Sequence, residues 1–163
     1  MKRSSSSPQS PVRLGVISDT HGLVRPEAKA FLSGCDHILH GGDITGPEAL
    51  EALVAIAPVT AVRGNNDKGS WAQRLSETEL VKFGEVSIYV IHDLWQLELD
   101  LGAAGIDVVV CGHSHQPKIE EREGVLFVNP GSAGPRRFKL PVSMAELTID
   151  GGSIAARIIE LKP

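Results

Sequence analysis

Five short apolar runs, each ending in a cluster of small and polar residues, constrain this chain more than any other feature. "LGVIS" (Leu14 to Ser18) runs into "SDTHG", "HILH" into "GGD", "VTAV" (Val59 to Val62) into "RGNND", "EVSIYVI" (Glu85 to Ile91) into "IHD" and "IDVVV" (Ile106 to Val110) into "CGHSH". Runs of this length, rich in β-branched residues, read as buried strands. Between them "RPEAKAFL" (Arg25 to Leu32) and "GPEALEALVAI" (Gly46 to Ile56) read as helices opened by Pro26 and Pro47, and a further helix is expected around Trp95 to Ala104. In the second helix Leu50, Leu53 and Val54 share the face expected to lie on a sheet.

Beyond residue 117 the pattern changes. "KIEEREGVLFVN" and "VSMAELTIDGGSIAARIIEL" each read as two strands joined by a glycine-containing turn. Strand–helix units followed by antiparallel ribbons imply an α/β (α+β-like) fold of mixed sheets packed together and covered by helices, not a purely parallel doubly wound sheet. A chain of 163 residues with 42% hydrophobic content is the size of one compact domain. That domain is expected over residues 13–163, behind a disordered leader of Ser, Pro and Gln over residues 1–12.

Several function classes are disfavoured. A formal charge of -4, a pI near 5.8 and no dense Lys/Arg stretch argue against bulk nucleic-acid binding. The apolar runs are far shorter than the ~20 residues of a membrane span, and the leader lacks the apolar stretch of a secretory signal. The two cysteines, Cys35 and Cys111, form no CxxC spacing, so neither a disulfide framework nor a thiolate zinc cluster is expected, and a reducing cytoplasm fits.

In open α/β sheets the carboxyl ends of parallel strands share one edge, where ligands bind. That edge would gather Asp19, His21, Asp43, Asn65, His92, His113 and His115. Carboxylate, amide and imidazole groups without a thiolate suit divalent Mn, Fe, Co, Ni or Zn. Seven ligands exceed the four of a tetrahedral structural site but fit two metals ~3.5–4 Å apart that share a bridging carboxylate. Gly22, Gly41, Gly42, Gly64 and Gly112 flank these residues where the backbone must turn sharply. Taken singly, the histidines would read as surface loop residues and the aspartates as turn caps; their joint occurrence outweighs that. His37 and His40 read as hydrogen-bonded strand histidines, with His40 also placed to support Asp43, three residues on. Cys111 reads as a small buried residue, and Trp71 and Trp95 as packing residues, with Trp71, just after "GNNDKGS", also placed to border the pocket.

The order DxH, GD, GN, lone histidine and GHxH resembles the calcineurin-like metallophosphoesterase superfamily, over nearly all of the chain after the leader. The "NPGS" turn (Asn129 to Ser132) adds a likeness to its small, single-domain YfcE-like phosphodiesterase branch. The resemblance implies a four-layer αββα sandwich with two mixed sheets. It assigns Asp19, His21, Asp43 and His115 to one metal, and Asp43, Asn65, His92 and His113 to a second. Manganese is the first expectation, with nickel, iron, cobalt or zinc as alternatives. A hydroxide between the metals would attack phosphorus in a small phosphorylated substrate, a phosphodiester foremost, with Asp43, Asn65, Asn66 and His92 carrying catalysis. Asn66 and Arg136 are the expected substrate contacts, with Arg137 and Lys139 nearby in "GPRRFK". A homodimer or higher oligomer is left open.

Two residues depart from the family pattern. Asn66 stands where many of these phosphatases carry a proton-donating histidine, and Asp93 follows His92 where glycine is usual. Asp93 is expected either to point away or to orient His92. The competing reading is a non-catalytic protein-binding scaffold on the same fold, like the retromer subunit; the complete ligand set favours hydrolysis.

Overall fold

The computed structural model describes residues 11–136 and 139–162. Of the expected leader, residues 1–10 lie outside that range, and the first strand already begins at Val12. The strands are β1 (Val12–Ile17), β2 (His37–His40), β3 (Val59–Ala61), β4 (Thr78–Phe83), β5 (Val86–Ile91), β6 (Val108–Val110), β7 (Lys118–Arg122), β8 (Val125–Asn129), β9 (Ser143–Asp150) and β10 (Ser153–Glu160). The helices are α1 (Pro26–Leu32), α2 (Pro47–Val54) and the four-residue α3 (Leu101–Ala104).

They form two five-stranded mixed sheets, ordered β10-β9-β1-β2-β3 and β4-β5-β6-β8-β7. In the first, β1, β2 and β3 run parallel and β9 pairs antiparallel with β1. In the second, β5, β6 and β8 run parallel, with antiparallel β4 and β7 at the edges. The sheets pack face to face through Leu14, Val16, Leu39, Ile88, Val90, Val108, Val110 and Leu147 among others. Burying each such side chain contributes roughly 1.5–3 kcal/mol. The outer face of the first sheet is covered by α1 and α2, which bury Ala28, Leu32 and Leu53 against Ile17, Ile38 and Met144. Leu94, Leu97 and Leu101 cover Val109 and Ile91 on the second. The result is the expected αββα sandwich, its second helical layer reduced.

Three details differ from the sequence expectations. The helix around Trp95 to Ala104 is absent; a 3-10 turn over Leu94–Gln96 and the short α3 stand there instead. Asp93 and Asp100 cause the break, because each accepts a backbone N–H two or three residues ahead and so caps a new turn. In α2 the buried stripe runs through Ala49 and Leu53, while Val54 is 57% exposed. Finally, β4 is a strand beyond those the apolar runs predict. It is a half-exposed edge strand, joined to β5 by a tight turn in which Gly84 takes a positive φ.

Candidate metal centre

Register places the first site residues. Ile17, His40 and Ala61 are adjacent at the carboxyl ends of β1, β2 and β3, and Val90 and Val110 are adjacent near those of β5 and β6. The pairing of β1 with β2 continues into the loops, where Asp19 N–H donates to Gly42 O (2.9 Å), His21 N–H to Asp43 O (3.0 Å) and Gly22 N–H to Ile44 O (2.7 Å). The loops after the two sheets also join: Gly112 N–H donates to His92 O (2.9 Å), and His113 N–H to Asp19 Oδ2 (3.1 Å).

The backbone here is held in an unfavourable conformation. Among the described residues seven non-glycines have positive φ, and six of them, Asp19, His21, Asp43, Thr45, His113 and His115, belong to these loops. Such conformations cost of order 1–3 kcal/mol each for non-glycines and cluster where function requires them. The loops are also packed too tightly for added atoms: a Cβ on Gly64 would overlap Asp43, and one on Gly112 would overlap Ser18 and Asp19.

All seven sequence-selected side chains converge. His115 Nε2 lies 3.4 Å from Asp19 Oδ1 and 3.4 Å from His21 Nε2; His21 Nε2 is 3.8 Å from Asp19 Oδ1 and 3.9 Å from Asp43 Oδ2. On the other side of Asp43, His92 Nε2 is 3.4 Å from Asp43 Oδ2 and 3.0 Å from Asn65 Oδ1, which is 3.3 Å from His113 Nδ1. Donors bound to one ion at ~2.1 Å stand about 3.0–3.5 Å apart, so the first group is slightly wide and the second close to fitting. The ligand atoms of Asp19, His21 and His115, and those of Asp19, Asp43 and His92, each lie within 4.8 Å of one another.

Hydrogen bonding shows what these groups lack. Asp19 Oδ2 accepts from Ser18 Oγ (2.7 Å) and His113 N–H, while the buried Oδ1 has no hydrogen-bond partner. His92 Nδ1 donates to Gly41 O (2.6 Å), which turns the lone pair of a neutral ring at Nε2 toward the oxygens of Asp43 and Asn65. Three electron-rich atoms facing one another call for a positive charge, as a proton or a metal ion. With no ion, burial pushes the Asp43 pKa up, but hydrogen bonds from His92 and Asn66 outweigh it and hold the carboxyl well below the usual range. Burial likewise pulls His92 down, yet its bond to Asp43 and the nearby carboxylates raise it overall. An orphaned buried carboxylate oxygen and a set of oxygen and nitrogen donors without a thiolate fit divalent cations.

Asn66 is exposed at the rim, where its backbone N–H donates to Asp43 Oδ1 (2.8 Å) and its amide to Oδ2 (3.0 Å). Asp93 caps the Leu94–Gln96 turn, and it is the Gly41 carbonyl that engages His92 Nδ1. His37 is hydrogen-bonded to Thr60 Oγ1 (2.8 Å). Cys111 is buried, and burial pushes its thiol up to about 11. Trp71 packs against the Ile44, Ala49 and Ala61 cluster, whereas Trp95 is 95% exposed and belongs to no hydrophobic cluster among the described residues. Arg136 is exposed, and among the described residues it makes no hydrogen bond or ion pair with the cluster; Arg137 lies outside those residues. Arg25 is the arginine that ties this loop, donating to Gly134 O (3.1 Å).

The role of Asp67 was not legible. Buried after "GNN", it accepts the backbone N–H groups of Asp43 (2.9 Å) and Gly64 (2.8 Å) on Oδ2 and that of Thr45 (2.7 Å) on Oδ1. This carboxylate fixes the turn that presents Asp43. Asn129 of the "NPGS" turn acts similarly, donating to Gly112 O and Ser114 Oγ (both 3.1 Å), while Ser132 Oγ donates to Asp19 O (2.9 Å).

The model of the calcineurin-like phosphoesterase superfamily domain matches residues 12–152. The chain is 41% identical over 161 residues to a probable metallophosphoesterase of Methanothermobacter thermautotrophicus, covering 90% of this chain and 91% of that one. It is 26% identical over 138 residues to a phosphodiesterase of Methanocaldococcus jannaschii, covering 74% and 83%. Among solved structures, vacuolar protein sorting 29 from Cryptosporidium parvum superposes with a TM-score of 0.81 at 21% identity, covering 93% of this chain and 92% of that one.

Proposed function

The chain belongs to the calcineurin-like phosphoesterase superfamily, and we propose that within it the protein is a phosphodiesterase of the YfcE-like branch that works with two divalent metal ions. Asp19, His21 and His115 would hold one ion, Asn65, His92 and His113 the other, and Asp43 both. The observation that carries this reading is a cluster of oxygen and nitrogen side chains on either side of Asp43, within which the buried Asp19 Oδ1 has no hydrogen-bond partner. Manganese is the first choice of metal, with nickel, iron, cobalt or zinc as alternatives. Two buried free cysteines and the absence of any helix long and apolar enough to cross a membrane, among the described residues, are compatible with a cytoplasmic protein.

When bound, such a pair of ions polarises P–O bonds and supplies a nucleophilic water at neutral pH. The protein does the rest. The Gly41 carbonyl orients His92, Asp67 fixes the Asp43 turn, and Asn66, at the rim, has an amide that can turn from Asp43 to donate to a phosphate oxygen. That amide cannot serve as a general acid. Asp67 cannot replace it, because both of its oxygens are engaged by backbone N–H groups. The leaving group must therefore depart largely on its own stability, which suits activated or well-stabilised diesters. Arg136 remains a candidate phosphate contact by its chemistry.

The fold likeness to vacuolar protein sorting 29 favours one other reading, a non-catalytic protein-binding scaffold. Turnover of bis(p-nitrophenyl) phosphate separates the two. The phosphodiesterase reading expects hydrolysis by manganese-loaded protein, lost with a chelator and restored by manganese. A metal-loaded protein inert toward aryl diesters, cyclic nucleotides and monoesters would select the scaffold.

A further inference from the structure

We propose that Trp95 determines the substrate range of this site, standing as a wall between two grooves that each take one organic substituent of a phosphodiester. The inference rests on the phosphodiesterase reading above and deepens it. Trp95 lies three residues beyond His92 on the turn that Asp93 caps, and the flanking Leu94 and Leu97 are packed on the second sheet. Its backbone is thus anchored on both sides, yet the residue as a whole is 95% exposed. A single exposed apolar side chain needs no explanation; the position of this one does.

Two grooves meet at Trp95. One, of about 750 Å³, is lined by Asn65, His92, Tyr89 and Leu99 among others; the second, of about 490 Å³, is lined by Gly112, His113, Phe127 and Asn129 among others. Both volumes fall within the ~300–1,000 Å³ of sites for small organic molecules. Both grooves border the donor group formed by Asn65, His92 and His113, and neither is lined by Asp19, His21 or His115. Substituents on a phosphorus held at the cluster would therefore extend over one side of it, across the outer face of the second sheet.

The walls indicate what those substituents are. Each groove carries an aromatic residue besides Trp95, Tyr89 from β5 in the first and Phe127 from β8 in the second, the latter with the Arg122 guanidinium stacked over its ring 4.2 Å from the centroid, so an inserted ring has an aromatic neighbour in the first groove and a planar guanidinium on an aromatic in the second. Neither groove has an excess of cations: Arg63 is set against Glu77, Asp93 and Glu98 in one, and Lys118 and Arg122 against Glu120 and Asp93 in the other. Arg63 is moreover paired with Glu77 (3.2 Å), and Glu120 with both Lys118 (3.1 Å) and Arg122 (3.4 Å). Such walls suit uncharged, ring-bearing groups, such as aryl groups or nucleosides, and disfavour polyphosphates. A monoester would fill one groove and a diester both.

The test compares phenyl phosphate with diphenyl phosphate, titrated calorimetrically into manganese-loaded wild-type protein and the Trp95→Ala and Trp95→Phe variants. One aromatic contact is worth roughly 0.5–1.5 kcal/mol, so Trp95→Ala should weaken phenyl phosphate about threefold and diphenyl phosphate, which uses both faces, about tenfold. Trp95→Phe should recover most of each loss, and the melting temperature should not move, because Trp95 is almost fully exposed. In a Trp71→Phe protein, where Trp95 is the remaining tryptophan, diphenyl phosphate should quench the fluorescence at the concentrations that bind. Equal losses for the two esters, or none, would overturn the proposal. Trp95-dependent binding without turnover of any ester would reject the phosphodiesterase reading and leave the grooves standing; diester turnover indifferent to Trp95 would do the reverse.

Discussion

His40 should make this protein sensitive to mild acid. The ring is fully buried, its Nδ1 accepts the Gly42 N–H (3.0 Å), and its Nε2–H faces Thr20 Oγ1 (3.1 Å), whose hydroxyl lies 3.3 Å from Ile44 O. Both ring nitrogens are therefore committed in the neutral form, and a proton on Nδ1 would confront a backbone N–H. Burial lowers the pKa from its ordinary 6.5 to about 4, against the opposing pull of Asp19 and Asp43. Between those values the unfolded chain binds a proton that the folded chain refuses. The contribution is thus intact above pH 6.5 and lost progressively as the pH falls toward 4, reaching about 3 kcal/mol at most and about 2 kcal/mol between pH 7 and 5. That is a large share of the ~5–15 kcal/mol that holds a typical domain. His40→Gln retains one acceptor and one donor but cannot titrate. Urea unfolding of both proteins at pH 7 and 5, with chelator present, should show the wild type losing about 2 kcal/mol more than the variant. Equal losses would refute the reasoning.

Asp67→Ala removes a charged acceptor from three backbone N–H groups, each such bond being worth roughly 1.5–3 kcal/mol, so stability should fall by ~3 kcal/mol or more, read from the urea midpoint, and manganese affinity by calorimetry with it. Asp43→Asn should abolish turnover nearly completely, a larger loss than at any residue of one donor group alone, and parental activity in a metal-loaded variant would contradict its shared role. Asn66 should make the rate depend steeply on leaving-group pKa, because proton donation typically contributes ~10²–10⁴-fold and an amide supplies none. Asn66→His should flatten a linear free-energy plot across aryl diesters.

The parts legible in the sequence were those where burial and backbone register act together. Val108 to Val110 can only be an interior strand, and parallel pairing puts the clusters after β1, β2 and β3 on one edge and those after β5 and β6 on another; that the strands divide between two sheets, whose packing joins the two edges, departs from the single edge expected. The parts that were not legible depend on local competition or on long-range pairing. β4 alternates too weakly to stand out, since it is an edge strand with Leu80 59% exposed. The segment from Asp93 to Ala104 has helical composition, but two aspartates cap short turns within it. Asp67 resembles any turn aspartate until the Asp43 loop is brought beside it, 24 residues away in sequence. Trp95 read as a packing residue because indoles usually are; only the grooves on either side of it suggest another use.

Anomalous scattering from manganese in crystals of the loaded protein tests the central claim most directly. Two peaks are predicted, ~3.5–4 Å apart, one beside Asp19, His21 and His115, the other beside Asn65, His92 and His113, with the Asp43 carboxylate between them. A single peak, or manganese bound away from these seven side chains, would contradict the account.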